Sequence, residues 1–232
     1  MRRISSLVLT VALLALAAWS TPTTNEAARR AGGSPLAGSP SPSPVKTPES
    51  IPPQTFNGKS QAATPKFRLE AGLSIFRMTH QGNANWAPKL LDGEGNLVEL
   101  LANEIGKFDG AKAVKVGAGE YVIDVTANGA WEIIVEQPRP IEAPPLPASL
   151  SGSGQTVSVF FFAKRGLARF QMSHSGDGNW APKLLNAEGD LIELLANEIG
   201  KFEGEKAVRI PVDDIYVIDV TANGPWIITV TT

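Results

Sequence analysis

Gly72-Leu73-Ser74-Ile75-Phe76-Arg77-Met78-Thr79-His80 runs through Gln81-Gly82-Asn83-Ala84 into Asn85-Trp86-Ala87-Pro88-Lys89-Leu90-Leu91. The same text returns from Gly166 to Leu185, with Phe170, Met172, His174, Gly176, Asn179, Trp180 and Pro182 in matching places. Glu99-Leu100-Leu101-Ala102-Asn103-Glu104-Ile105-Gly106-Lys107-Phe108 returns from Glu193 to Phe202 without a change. The offset is 94 at the histidines (174 − 80) and 95 at the later tryptophans (226 − 131), so one residue was inserted between them. A period this long marks a duplicated domain; solenoid repeats recur about every 20–50 residues.

The period inside each copy is that of strands. Phe67, Leu69 and Ala71 alternate with Lys66, Arg68 and Glu70, as in a half-buried strand. Phe76, Met78 and His80 share a face of the next strand, and Trp86, Pro88 and Leu90 share a face of the one after. Pro88 has no N–H, which predicts an edge strand or a bulge there. Gln81 to Ala84 is turn chemistry, and Asp92-Gly93-Glu94-Gly95-Asn96 reads as a hairpin loop. Leu97 to Ile105 fits a helical stripe as well as a strand; the tight turns on both sides favour a strand. Tyr121, Ile123 and Val125 alternate with Val122, Asp124 and Thr126, and Asn128-Gly129 turns the chain into Trp131, Ile133 and Val135. Phe160, Phe161 and Phe162 cannot all face one core, because neighbours in a strand point to opposite faces. Phe161 aligns with Phe67 and is expected inside; Phe160 or Phe162 is then exposed or packed on the other copy. Many short strands between turn signals, on about 80 residues, predict an all-β chain of two tandem antiparallel β-sandwich, jelly-roll-like domains.

The copies sit behind a leader. Residues 1–20 read as a secretory signal peptide: Arg2 and Arg3 open it, and Ile4 to Ala18 is too short for a membrane span. Leu16-Ala17-Ala18 resembles the run before a lipid-bearing Cys, but Trp19 follows and offers no thiol. A cleaved, soluble product without stable membrane insertion is expected; an uncut anchor is the alternative. Residues 21–56 are rich in Pro, Ser and Thr and read as a disordered tether. The first sandwich is expected over 57–136 and the second over 151–232. Five prolines between 137 and 150 predict a stiff, extended linker.

Composition excludes several classes of function. The 232 residues include no Cys, so disulfides, thiolate metal sites and Cys nucleophiles are absent together. The net charge is −2, with no basic stripe of the kind that neutralises a phosphate backbone, which argues against nucleic acid.

The motif Gly-Leu-x-x-Phe-x-Met-x-His-x-Gly-x-x-Asn-Trp, followed by Tyr121-Val122-Ile123-Asp124-Val125 and by Trp131-x-Ile133, resembles a repeat of largely uncharacterised secreted and surface proteins of bacteria and archaea. More distantly it is similar to pre-peptidase C-terminal and collagen-binding-type β-sandwiches. Those sandwiches commonly carry an acidic run and Leu-Tyr after the third strand. Gly82-Asn83-Ala84-Asn85-Trp86 stands there instead, which weakens any carry-over of calcium binding. The resemblance implies a non-catalytic extracellular module.

Six residues are candidates for ligand binding: His80, Asn85 and Trp86, and their copies His174, Asn179 and Trp180. An amide beside an indole face is how a site grips a sugar. The competing account makes His80 a hydrogen-bonded structural residue and the tryptophans core. No Gly-x-Ser-x-Gly is present, and one His per copy supplies one zinc ligand where three or four are needed. Glu99 with Glu104, and Glu193 with Glu198, would make a glycosidase pair only if both acids converged in one cleft. Asp92-x-Glu94-x-Asn96 and Asn186-x-Glu188-x-Asp190 space oxygen ligands as a calcium loop does, but a downstream acid is also required. No catalytic residue and no cofactor is expected, calcium being the one metal the spacing admits. The expectation is a non-enzymatic, secreted or envelope-associated binding protein, for a cell-wall glycan or a surface protein. A spacer without a ligand is the first alternative, and a hydrolase the second.

Overall fold

The computed structural model describes residues 51–232. The expected signal peptide and residues 21–50 of the expected tether lie outside the described residues. Among the described residues every helix-or-strand element is a strand. The first copy contributes β1 (Ile51–Gly58), β2 (Ala62–Ala63), β3 (Phe67–Leu69), β4 (Gly72–His80) and β5 (Asn85–Asp92). It continues with β6 (Leu97–Leu100), β7 (Glu104–Ile105), β8 (Phe108–Val116), β9 (Gly119–Thr126) and β10 (Trp131–Gln137). The second copy repeats the series as β11 (Ala148–Ser153), β12 (Thr156–Val157), β13 (Phe161–Ala163), β14 (Gly166–His174) and β15 (Asn179–Asn186). Then come β16 (Leu191–Leu194), β17 (Glu198–Ile199), β18 (Phe202–Ile210), β19 (Asp214–Ala222) and β20 (Pro225–Thr231).

Each copy is an antiparallel sandwich of one four-stranded and one six-stranded sheet. The first four-stranded sheet runs β1-β10-β4-β8; its six-stranded partner runs β2-β9-β5-β6, with β3 on β9 and β7 on β5. The second copy has β11-β20-β14-β18 and β12-β19-β15-β16, with β13 on β19 and β17 on β15. Alternation sets the cores. Phe67, Leu69, Phe76, Met78, Trp86, Leu90, Ile123 and Ile133 fill the first, while Phe161, Phe170, Met172, Trp180, Tyr216 and Ile228 are among those filling the second.

Three local expectations need revision. Residues 51–56 belong to β1, not to a tether: Phe56 pairs with Ile133 and packs its ring 4.8 Å from Phe67. The prolines at 52 and 53 fall at a register shift on this edge strand, where a missing donor is tolerated. At the far end of the expected linker, Ala148 to Leu150 already pair with β20. Pro88 lies in an internal strand, between β9 and β6. Its carbonyl accepts from Leu101 N at 2.9 Å, and Leu101 O, the acceptor left by the missing Pro88 N–H, takes the Gln155 side-chain amide at 2.7 Å; the strand does carry a register shift, at Leu90/Leu91. The run from Leu97 opens as strand β6, as the turns around it imply.

The two sandwiches also pack on each other. The outer face of the first four-stranded sheet meets the outer face of the second six-stranded sheet. A third apolar cluster forms there from Leu73, Ile75, Ala111, Ala113, Val157, Leu185 and Val217. Phe161 is inside the second core, and Phe160 turns outward onto this third cluster. Asp219, 1% exposed, accepts from Lys112 Nζ at 2.7 Å and from the Ala113 amide at 3.1 Å. Gln155 accepts the Ala111 amide on its carbonyl and donates its side-chain amide to Leu101 O at 2.7 Å. Backbone groups of the β8 edge are thus bonded by the second sandwich. Replacing Asp219 by Ala leaves the Lys112 ammonium buried without its counter-ion, at a cost of about 3–5 kcal/mol. Urea denaturation of the Asp219→Ala protein measures that loss directly.

Candidate functional site

The site begins at the end of β4, where the inward alternation delivers His80 to the core. His80 is fully buried and stacks on Trp86 of β5, with ring centroids 5.0 Å apart and planes 11° apart. His174 and Trp180 repeat the pair at 5.1 Å and 8°. His80 Nδ1 lies 2.7 Å from Gly106 O, and His174 Nδ1 lies 2.8 Å from Gly200 O. A carbonyl only accepts, so Nδ1 is the donor and carries the proton. The Nε2 atoms and both indole Nε1 atoms are buried without a protein partner.

Two loops close over each imidazole. Asn128 Oδ1 accepts from Ala84 N at 3.0 Å, and its amide donates to Asn83 Oδ1 at 2.7 Å. Asn223 bonds Gly178 N and Asp177 in the same way. A Cβ on Gly82 would sit 2.2 Å from Asn128 Oδ1 and 2.5 Å from His80 Nε2; at Gly176 the corresponding distances are 2.4 and 2.6 Å. Glycine is required at both positions because the loop passes directly over the ring.

The buried pair fastens an exposed structure. Gly106 and Gly200 have φ of 97° and 93°, a region that favours glycine, and their carbonyls point back to the histidines. The residues just before them stand out from the molecule. Ile105 is 79% exposed and Ile199 80%. Ile105 pairs with Asn85, and Ile199 with Asn179, at the start of β5 and β15. Leu97 and Leu100, and their copies Leu191 and Leu194, continue an exposed apolar line along the same edges. Glu104, partly desolvated beside Ile105, holds its carboxyl above the ordinary glutamate range.

The six candidates therefore separate into two groups. His80, Trp86, His174 and Trp180 are interior, and the tryptophans offer no face to a sugar. Asn85 and Asn179 are on the surface beside the exposed isoleucines. Ile105 and Ile199 were not among the candidates. Their signal was the unchanged ten-residue run, in which only Leu101, Ala102 and Phe108 are buried in the first copy.

The acidic motifs are engaged in structure. Asp92 accepts from the amides of Glu94 and Asn96 and from the Asn96 side chain, and those bonds hold its carboxyl below the usual range. Asn186 caps its own hairpin through Asp190, which also pairs with Lys115 of the first sandwich. Glu193 pairs with Lys206 at 2.8 Å. A cleft of about 480 Å³ lies between the sandwiches, lined by Arg77, Asp109, Ser149, Ser151, Ser153 and Trp226 among others. Asp109 is its one acidic side chain, so no pair of carboxylates converges there. Among the described residues no three His, Asp or Glu side chains gather as a metal site.

No protein-family model matches this chain, and no curated protein matches it either. The role of the histidine bridge is open to test. Gly82→Ala drives a methyl group into His80 and Asn128 and should destabilise the first sandwich by about 1–3 kcal/mol, the usual cost of overpacking. Differential scanning calorimetry reads the drop in melting temperature.

Proposed function

We propose that this is a non-catalytic binding protein, acting at or outside the cell envelope, whose two sandwiches present the same apolar tip to a protein partner. The carrying observation is the pair Ile105 and Ile199, about four-fifths exposed within a run that is identical in both copies. Core packing explains Leu101 and Phe108; it does not explain a bare isoleucine kept twice. Leaving such a side chain in water forgoes about 1.5–3 kcal/mol that burial against a partner supplies. Asn85 and Asn179 add an amide beside each tip, which fixes orientation by hydrogen bonding. The burial of Trp86 and Trp180 removes the stacking surface a glycan site uses, which favours a protein over a sugar. Two tips on one body raise avidity wherever both engage at once.

A phage-displayed peptide library selected on the wild-type protein tests this reading. Enriched peptides should lose binding to an Ile105→Asp/Ile199→Asp protein, while each single variant keeps the monovalent affinity. Both side chains are exposed, so the melting temperature should stay within about 0.5 kcal/mol equivalent of wild type. Peptides that bind the double variant as well as wild type would remove the tips from the account and leave the spacer reading.

A further inference from the structure

The two sandwiches are copies, yet their contact is not symmetric. The second uses the outer face of its six-stranded sheet; the first uses the outer face and β8 edge of its four-stranded sheet. Each copy therefore also carries the face that it does not use here. In the second sandwich the docked face is Gln155, Val157, Leu185, Val217 and Asp219, all buried. In the first sandwich the same positions are Gln61, Ala63, Leu91, Val122 and Asp124, all exposed or half-buried. Four of the five residue types are kept, including the carboxylate that captures Lys112 and the glutamine that bonds the β8 edge.

The complementary face of the second sandwich has changed. Leu73, Lys112 and Ala113 return as Leu167, Lys206 and Ala207, but Ile75 becomes Arg169 and Ala111 becomes Glu205. Arg169 and Glu205 pair with each other at 3.1 Å on an exposed surface. Docking onto that surface would strip water from both charges. A head-to-tail contact between copies does not close and would grow into fibres, and a polar terminal face stops such growth.

We infer that the outer face of the first six-stranded sheet, centred on Leu91, Val122 and Asp124, is a working docking site for another β-sandwich of this build. Its occupant is a sandwich on a different protein, with small apolar residues where this chain has Arg169 and Glu205, and with an edge-strand lysine for Asp124. The Arg169–Glu205 pair keeps this chain's own second sandwich from filling the site. The inference does not rest on the isoleucine tips, and its variants leave them untouched.

The test converts the second sandwich into the missing partner. Wild type should sediment as a monomer. Arg169→Ile/Glu205→Ala should self-associate at least about tenfold more tightly, read by sedimentation velocity over a concentration series. Adding Asp124→Lys to that protein should return it to monomer. A carbodiimide should join Asp124 to Lys206 of another molecule in the double variant, as seen by peptide mass spectrometry. Should the double variant melt early, Arg169→Ala/Glu205→Ala takes the same readouts. A well-folded double variant that stays monomeric overturns the inference. So does association that survives Asp124→Lys, or wild-type protein that already polymerises through Asp124.

Discussion

The Asp219 carboxylate is buried against two donors, Lys112 Nζ and the Ala113 amide, both from the other sandwich. A charge in such a place is tolerated only when its partners are in position, so this contact admits one register and no near neighbours. The surrounding apolar cluster supplies attraction without direction. Leu73, Ile75, Leu185 and Val217 would pack in several offsets; the carboxylate, with Gln155 on the adjacent backbone, selects one. Two sandwiches of about 80 residues each bury a modest share of their surface, and this shared face adds to what each core achieves alone.

Much of this was legible in the sequence. The duplication, the all-strand character and the inward sets Phe76–Met78–His80 and Trp86–Leu90 follow from a period of two between turn signals. The orientation of Phe161 followed from its alignment with Phe67. What could not be read were relations across the sheet layers. No local pattern says that Lys112 answers Asp219, a hundred residues later, or that Phe160 faces a foreign sheet. Pro88 misled in an instructive way. The rule that proline avoids internal strands concerns the missing donor, and here the acceptor so left, Leu101 O, is filled by the Gln155 side chain of the other sandwich. The candidate site was half legible. Histidine, asparagine and tryptophan do come together at one corner of each sandwich, with the stacked rings inside and asparagine beside an exposed isoleucine at the surface. Burial of an aromatic depends on which sheet covers it, and spacing does not carry that information.

The pattern of change between the copies is informative beyond identity. Positions that build the histidine bridge are kept in both: the ring, the glycine above it, the asparagine of the facing loop and the left-handed glycine that supplies the carbonyl. Positions on the outer face of the four-stranded sheet have drifted according to what covers them. Ile75 and Ala111 lie under a neighbouring sheet and are apolar, whereas Arg169 and Glu205 meet water and are charged. One ancestral surface has thus become an interior in one copy and an exterior in the other.

The closure of the β8 edge by Gln155 has a consequence in time. Ribosomes release the chain from its N-terminus, and the last strand of the first sandwich, β10, ends at Gln137, 18 residues before Gln155 (155 − 137) and 82 before Asp219 (219 − 137). At about 5–20 residues per second, that second interval lasts roughly 4–16 s. Until it ends, the first sandwich holds an open strand edge beside a bare leucine and isoleucine, an arrangement that invites pairing with other nascent chains. The second sandwich is therefore also a late-arriving guard, and the order of the two copies along the message sets how long the first must wait for it.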